Sequence, residues 1–400
     1  MPLQPPLLYD PSNPAFPAHA HEVYDRLREE EPFHWASRTQ EWVVTKHADV
    51  KAVIKHPSLK PPNVMAYLEG VARHAAVEIP AMRLLCQEAL IFQSGPGHAQ
   101  ARRFMARILN YRPLSECAPI MEEIIGRQIK ALLDAGGGDL IVDFGRAIGW
   151  QFMGRLLGVP AEEMEFLADC AEGILLILER QIEPDLLIEL NSAVAQAIDC
   201  LTALCAERRK DPRNDGLSRM LELAPEEPDR VLAMRTFFLF VAGLDTMATF
   251  LGRSMHALLE NPGARERLSG GEVAVAGAIE ELLRYTSPVR MVICEAAHDC
   301  DVSGHFVARG QKVTALIEAA NRDPVVFDAP HELRLDRDPC PHLVFSEGVH
   351  ACLGAGLARL QGTIALREFA RLPRMRLVEK PRLAHSDIMK FLKTLYVSFE

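Results

Sequence analysis

The chain has 400 residues, of which 48% are hydrophobic and 24% charged, as in an ordinary globular protein. Its formal net charge of −10 argues against binding nucleic acid through a broad basic surface. The 9 cysteines are scattered and include no C-x-x-C pair, which argues against a disulfide framework, a zinc site or an iron–sulfur cluster. A reducing cytoplasm is the expected setting.

The sequence also argues against a membrane location. Residues 1–20 are rich in proline and have neither the basic start nor the apolar core of a signal peptide. The longest apolar run lies around 236–244, and Asp245 ends it well short of the roughly 18 residues that span a bilayer. We therefore expect a soluble cytoplasmic protein with no membrane partner.

Short elements are predicted near the N-terminus: a helix over 21–31, a strand over 41–45 and a helix over 47–56. Residues 57–92 contain Pro61, Pro62 and Pro80 as breakers and are predicted to be irregular. Irregular regions of this length are usually functional.

A helix is predicted to start near His98, after the Gly-Pro-Gly turn at 95–97. His98 and Arg102 are four residues apart and therefore share a helix face. Two donor groups on one face suit a pair of carboxylates. Taken alone, these two residues are also compatible with a solvated basic helix face.

The longest helix pattern covers 228–261 and carries apolar residues on all sides between 237 and 244, which predicts a buried central helix. Gly243, Asp245 and Thr246 are costly within such a helix, and their succession indicates a site. The alternative is that Thr246 bonds back to a backbone carbonyl and Asp245 pairs with an arginine.

Charged residues also mark the segments that follow. Glu281 and Arg284 are three apart on a predicted helix and can pair on one turn. After the Ser-Pro step at 287–288 the chain is strand-like, and it carries Arg290. The tail over 389–399 is predicted to form a hairpin or a strand.

One cysteine lies in a tight loop, Phe345-Ser346-Glu347-Gly348-Val349-His350-Ala351-Cys352-Leu353-Gly354, directly before a long amphipathic helix pattern. A helix N-terminus favours a thiolate, which is a soft metal ligand or a nucleophile. A buried, inert cysteine is the alternative for Cys352.

The order Phe-x-x-Gly-x-His-x-Cys-x-Gly resembles the haem loop of the cytochrome P450 family, with Ser346 where the family usually has glycine. The resemblance implies that Cys352 is the axial ligand of haem b, iron protoporphyrin IX. It also implies one P450-like domain over residues 1–400, with a small β-rich N-terminal lobe and a large helical lobe. The fold would be mainly α with small β-sheets (α+β) and triangular, with haem between the long central helix and the helix after the cysteine loop.

The same resemblance assigns roles to the other motifs. Gly243 would leave room for dioxygen, Thr246 would hydrogen-bond it, and Asp245 would feed protons through water. Glu281, Arg284 and Arg337 would form a structural network. The implied cofactor-binding residues are His98, Arg102, Gly243, Arg290, Phe345, His350 and Gly354. Arg290 is also a candidate substrate contact, and a solvent-exposed strand arginine is an equal alternative for it.

The implied activity is that of a haem-thiolate monooxygenase that uses O2 to hydroxylate or O-dealkylate a small organic substrate. Because the chain has no flavin motif and no cysteine cluster, we expect a separate ferredoxin-type or flavin-containing electron donor. An acidic ferredoxin would dock on the basic face predicted from Arg102, Arg103, Arg107, Arg112 and Arg359.

Three other functions are compatible with parts of the pattern. A peroxide-driven peroxygenase would keep the haem, although the Asp245–Thr246 pair argues against it. A haem sensor or binding protein would lack turnover. A haem-free protein with a nucleophilic cysteine would need a base and an orienting partner that the sequence does not supply.

Overall fold

The structure is a computed structural model that describes residues 9–11, 13, 16–384 and 386–400. In these residues helices predominate over four small sheets, which confirms the predicted fold class of mainly α with small β-sheets. The α-helices are α1 (Phe16–Glu30), α2 (His47–Lys55), α3 (Val64–His74), α4 (Pro80–Glu88), α5 (Gly95–Leu109), α6 (Leu114–Ala135), α7 (Ala147–Leu157), α8 (Ala161–Ala171), α9 (Pro184–Lys210), α10 (Gly216–Leu223), α11 (Asp229–Glu260), α12 (Pro262–Ser269), α13 (Val275–Thr286), α14 (Ile317–Ala320) and α15 (Ala355–Arg371). The strands are β1 (Phe33–Ala36), β2 (Glu41–Val44), β3 (Leu59–Lys60), β4 (Gly137–Asp139), β5 (Val292–Ala296), β6 (Cys300–Val302), β7 (His305–Val307), β8 (Lys312–Ala315), β9 (Met375–Leu377), β10 (Arg382–Leu383), β11 (Leu392–Thr394) and β12 (Tyr396–Phe399).

The chain divides into two compact units. The first consists of Met1–Pro62, Glu260–Cys352 and Ala384–Phe391. The second consists of Asn63–Leu259, Leu353–Leu383 and Leu392–Glu400. The single domain over residues 1–400 stays a prediction.

The first unit is built on a five-stranded sheet with the order β1-β2-β8-β5-β3. Strands β2 and β8 are parallel, and the other neighbouring pairs are antiparallel. Val50 and Val53 of α2 pack against the sheet with Val313 and Cys294 in one apolar core. The predicted strand at 41–45 and the predicted helix at 47–56 are thereby confirmed.

The second unit contains α11, a helix of 32 residues that is buried along most of its length. At about 1.5 Å per residue it is about 48 Å long, which confirms the long buried helix predicted over 228–261. Helix α15 packs against α6, and a three-stranded sheet has the order β4-β12-β9.

Two helices of the second unit, α9 and α11, have the length and apolar composition of a membrane span. In α11, 67% of the apolar window is buried inside the protein, against 33% in α9. A buried core helix of a soluble protein passes the same test of composition, so burial accounts for the apolar character of α11.

The prediction that residues 57–92 are irregular was wrong, because this segment holds α3 and α4. The side chain of Asn63 caps α3 by accepting a hydrogen bond from the N–H of Ala66 at 3.0 Å. Pro80 opens α4 at its first turn, where a proline removes no helical hydrogen bond. The supposed breaker is therefore a helix start.

The network of Glu281, Arg284 and Arg337 is confirmed. Arg284 donates to both carboxylate oxygens of Glu281 at 2.6 and 2.8 Å, and Nε of Arg337 donates at 3.0 Å. The remaining donors of Arg284 reach backbone carbonyls of Asn321, Pro330 and Glu332. Both side chains of the Glu281–Arg284 pair are 0% exposed. Their hydrogen bonds connect α13 to the segment before the cysteine loop.

We predict that Arg284→Ala lowers the free energy of unfolding by about 3–5 kcal/mol, because it leaves the buried charge of Glu281 without its main partner. Chemical denaturation measures the loss. Arg267→Ala is the matched control, since Arg267 pairs with Asp336 at 2.9 Å on the surface, and about 1 kcal/mol or less is expected there. Equal losses in the two variants would contradict the prediction.

Candidate functional site

The loop around Cys352 is closed by backbone geometry. The N–H of Cys352 donates to the carbonyl of Phe345 at 2.8 Å. Ser346 and Gly348 both take positive φ angles, 55° and 73°, a region that favours glycine. Cys352 lies shortly before the start of α15 at Ala355, as predicted from the helix pattern.

The side chain of Cys352 is exposed, and it is the one cysteine of the nine for which this holds. Burial raises the thiol pKa of the other eight, Cys86, Cys117, Cys170, Cys200, Cys205, Cys294, Cys300 and Cys340. Haem iron can take a cysteine thiolate as its protein ligand. An exposed cysteine in a tight loop can supply that thiolate, so the residues of this loop fit haem.

Ion pairs fasten the same loop to α2. Lys51 lies 2.7 Å and Lys55 3.5 Å from the carboxylate of Glu347. A Cβ atom at Gly348 would meet the side chain of Lys55 at 3.5 Å, so the loop follows the helix closely. Cys352 is thereby presented from a loop held at several points.

In α11, both contacts of the alternative interpretation are present. The hydroxyl of Thr246 donates to the carbonyl of Ala242 at 2.8 Å. Oδ1 of Asp245 lies 3.8 Å from Nε of Arg146, which is too long for a hydrogen bond. Burial raises the pKa of Asp245 to about 6; Arg146 opposes the rise and Glu172 adds to it.

The sequence did not reveal Arg146 and Glu172 as neighbours of the candidate site residue Asp245. Arg146 ends a π-helical turn, Leu140–Arg146, and its guanidinium also lies 3.3 Å from Glu172. The side chains of Glu172, Arg146 and Asp245 are 66%, 22% and 13% exposed. They therefore form a line of alternating charges from solvent to α11, made by residues far apart in the chain.

Gly243 has a packing role that was not predicted. A Cβ atom there would lie 2.6 Å from the side chain of Met153, and one at Gly149 would lie 3.3 Å from the carbonyl of Gly243. The two glycines let α7 approach α11 closely. The predicted role of Gly243 beside dioxygen stays a prediction, and Ala242 is the exposed residue at this level of the helix.

His98 and Arg102 lie on α5, which confirms the predicted helix. The ring of His98 is 3% exposed, and burial, followed by the charge of Arg102, lowers its pKa, which keeps it neutral. The predicted site residues fall into two sets: the first unit carries Arg290, Phe345, His350 and Cys352, and the second carries His98, Arg102, Gly243, Asp245, Thr246 and Gly354.

Comparisons with known proteins support the family that the residues of the cysteine loop indicate. The family model "Cytochrome P450" matches residues 274–380. Nocardicin C N-oxygenase of Nocardia uniformis subsp. tsuyamanensis is 31% identical over 85% of this chain and 84% of its own. The polyketide biosynthesis cytochrome P450 PksS of Bacillus subtilis is 28% identical over 94% of both chains. The structure of P450BioI in complex with a ligated acyl carrier protein matches with a TM-score of 0.87 and 26% identity, over 96% of this chain and 100% of that one.

We predict that Ser346→Gly raises the free energy of unfolding by about 1 kcal/mol, because a side chain at positive φ is strained. Thermal or chemical denaturation measures the gain. Ser346→Ala keeps the Cβ atom and serves as the control, for which little change is expected. A glycine variant no more stable than the alanine variant would refute the strain at this position.

Proposed function

Because the chain belongs to the cytochrome P450 family, we propose that it is a haem-thiolate monooxygenase that inserts one oxygen atom of O2 into a small organic substrate. Relatives named as hydroxylase, N-oxygenase and monooxygenase support an enzyme of this class. Hydroxylation or O-dealkylation is the proposed reaction. The observation that carries the proposal is the accessible sulfur of Cys352 in its closed loop.

Haem is the cofactor of the family, and we propose haem b with Cys352 as its protein ligand. When bound, haem supplies the activation of oxygen. His98, Arg102 and His350 are the proposed donors to its propionates, and Phe345, Gly243 and Gly354 the residues beside it. For Arg290 both predicted roles remain, a propionate ligand or a substrate contact.

We propose that the side chains of Asp245 and Thr246 on α11 deliver protons. The hydroxyl hydrogen of Thr246 is held by the carbonyl of Ala242, which leaves lone pairs of Oγ1 to accept from a water molecule. With its pKa near 6, the carboxyl of Asp245 can both hold and release a proton around neutral pH. Arg146 keeps the carboxylate oriented, and Glu172 connects Arg146 to solvent.

We propose that electrons come from a separate ferredoxin-type or flavin-containing protein, and that the enzyme is soluble and cytoplasmic. An acidic ferredoxin would be recognised by exposed arginines of the second unit, among them Arg103 and Arg359.

The proposal is tested by the optical spectrum of the reduced, carbon-monoxide-bound protein. We expect a thiolate-type spectrum from the parent, its loss in Cys352→Ala, and its retention in Cys300→Ala, the control at a partly buried cysteine. A parent protein that stays colourless after haemin is supplied would end the proposal.

The pH dependence of turnover should follow Asp245. Because the proton donor is the protonated carboxyl, the proton-dependent step is expected to slow as the pH rises through about 6. Arg146→Ala removes the charge that lowers this pKa and shifts the profile to higher pH. Glu172→Gln removes a charge that raises it and shifts the profile to lower pH. Steady-state turnover against pH measures both, and shifts of the same sign would be incompatible with the charge line.

The docking proposal predicts a slower transfer of electrons after charge reversal. In Arg103→Glu with Arg359→Glu, stopped-flow reduction of the haem by a ferredoxin is expected to slow about tenfold or more at low salt. Arg374→Glu, which is 85% exposed, carries the same change of charge per site and is the control. An unchanged rate in the double variant would exclude docking on these arginines.

A further inference from the structure

A buried cluster of charged side chains lies in the first unit around Glu318 of α14. Oε1 of Glu318 accepts a hydrogen bond from Nζ of Lys390 at 2.5 Å and lies 3.2 Å from Nε2 of His21. Glu318 is 2% exposed and Lys390 6%. Burial lowers the pKa of His21 to about 3, so this ring adds no charge, and Lys390 is the charged group that hydrogen-bonds Glu318.

Arg290 is a cation of this cluster that makes no direct ion pair. Its N–H donates to the carbonyl of Ile388 at 2.8 Å, and its own carbonyl accepts from the N–H of Glu318 at 3.0 Å, so its backbone is fixed. The side chain is 9% exposed, and Nε is fully enclosed without a hydrogen-bond partner. Within the residues that the structure describes, no carboxylate oxygen lies within 4 Å of its guanidinium.

The cluster contains a third buried cation. Besides Lys390 and Arg290 it contains Arg322, which is 7% exposed and donates to the carbonyls of Tyr285 and Pro330. Glu318 acts on all three cations, and Lys390 already holds its Oε1. Glu318 is thus shared among three buried cations, and Asp25 also acts on Arg322. Oε2 of Glu318 is itself buried without a hydrogen-bond partner.

The guanidinium group of an arginine keeps its positive charge in proteins. An unpaired charge in a protein interior is strongly unfavourable. An anion from outside the chain would remove the penalty, and the planar fork of a guanidinium matches the two oxygens of a carboxylate.

We propose that Arg290 anchors a carboxylate of the substrate, so that the substrates of this enzyme are small to medium organic acids. The inference rests on the proposed monooxygenase function. The neighbouring residues Met291, Ile388 and Met389 are apolar and buried, which suits the carbon skeleton of such an acid. His98, Arg102 and His350 already provide proposed donors for the propionates of haem, the other carboxylates that the enzyme would hold.

The test compares acids with their methyl esters on the haem-loaded enzyme, using dodecanoate and 4-butylbenzoate as probes. Dissociation constants come from the spin-state shift of the optical spectrum. In the parent, at least one acid is expected to bind about tenfold or more tightly than its ester. Arg290→Gln is expected to reduce the preference for the acid over its ester about tenfold, and Arg290→Lys to restore part of it. Arg267→Gln, at an exposed site, is the control for loss of charge.

Two outcomes would overturn the inference. A parent that binds acids no better than esters excludes a carboxylate anchor. A variant Arg290→Gln that keeps the acid preference but loses haem faster to apomyoglobin makes Arg290 a propionate ligand. The thiolate-type spectrum of each sample separates these results from failure of the proposed function, which the absence of that spectrum in the parent would show. If Arg290→Gln does not fold, the parent and Arg290→Lys still decide the question.

Discussion

Pairing of buried charges is the constraint on which the rest of this structure depends. Glu281 satisfies it completely, because Arg284, Arg337 and the N–H of Arg334 all donate to its carboxylate. Backbone carbonyls accept from the other donors of Arg284. A charge that is paired in this way has no capacity left for a ligand or a proton. The position of the segment before the cysteine loop is thereby fixed, and the geometry of that loop rests on a network with no part in the chemistry.

Two other buried acids are paired less completely, and each lies where a function is proposed. Burial raises the pKa of Asp245 to about 6, and its one cationic neighbour, at 3.8 Å, only partly opposes the rise. Glu318 is hydrogen-bonded by Lys390, and Nε of the buried Arg290 has no hydrogen-bond partner. The degree of pairing therefore separates charges that hold the fold from charges that are free to meet a proton or a ligand.

The sequence predicted those parts of the fold that depend on local pattern. Helices α5 and α11 and strand β2 follow from turn residues, apolar periodicity and β-branched content, which act within a few residues. The error over 57–92 has an equally local cause. Pro80 was taken as a breaker although a proline at a first helical turn costs no hydrogen bond, and Asn63 was not recognised as a cap.

The candidate site was only half predictable, and the missing half has one physical reason. A polar residue that is unfavourable inside a buried helix can be recognised in the sequence, as Asp245 and Thr246 were. Which residue contacts it depends on tertiary packing. Neither Arg146 nor Lys390 carries a local signal that links it to its acid. Packing also shows that the two interpretations of the α11 motif are compatible. The bond from Thr246 to Ala242 leaves the lone pairs of its oxygen available, and a guanidinium at 3.8 Å orients Asp245 without fixing its proton. The contacts expected of a purely structural motif are thus the ones that would keep a proton donor in place.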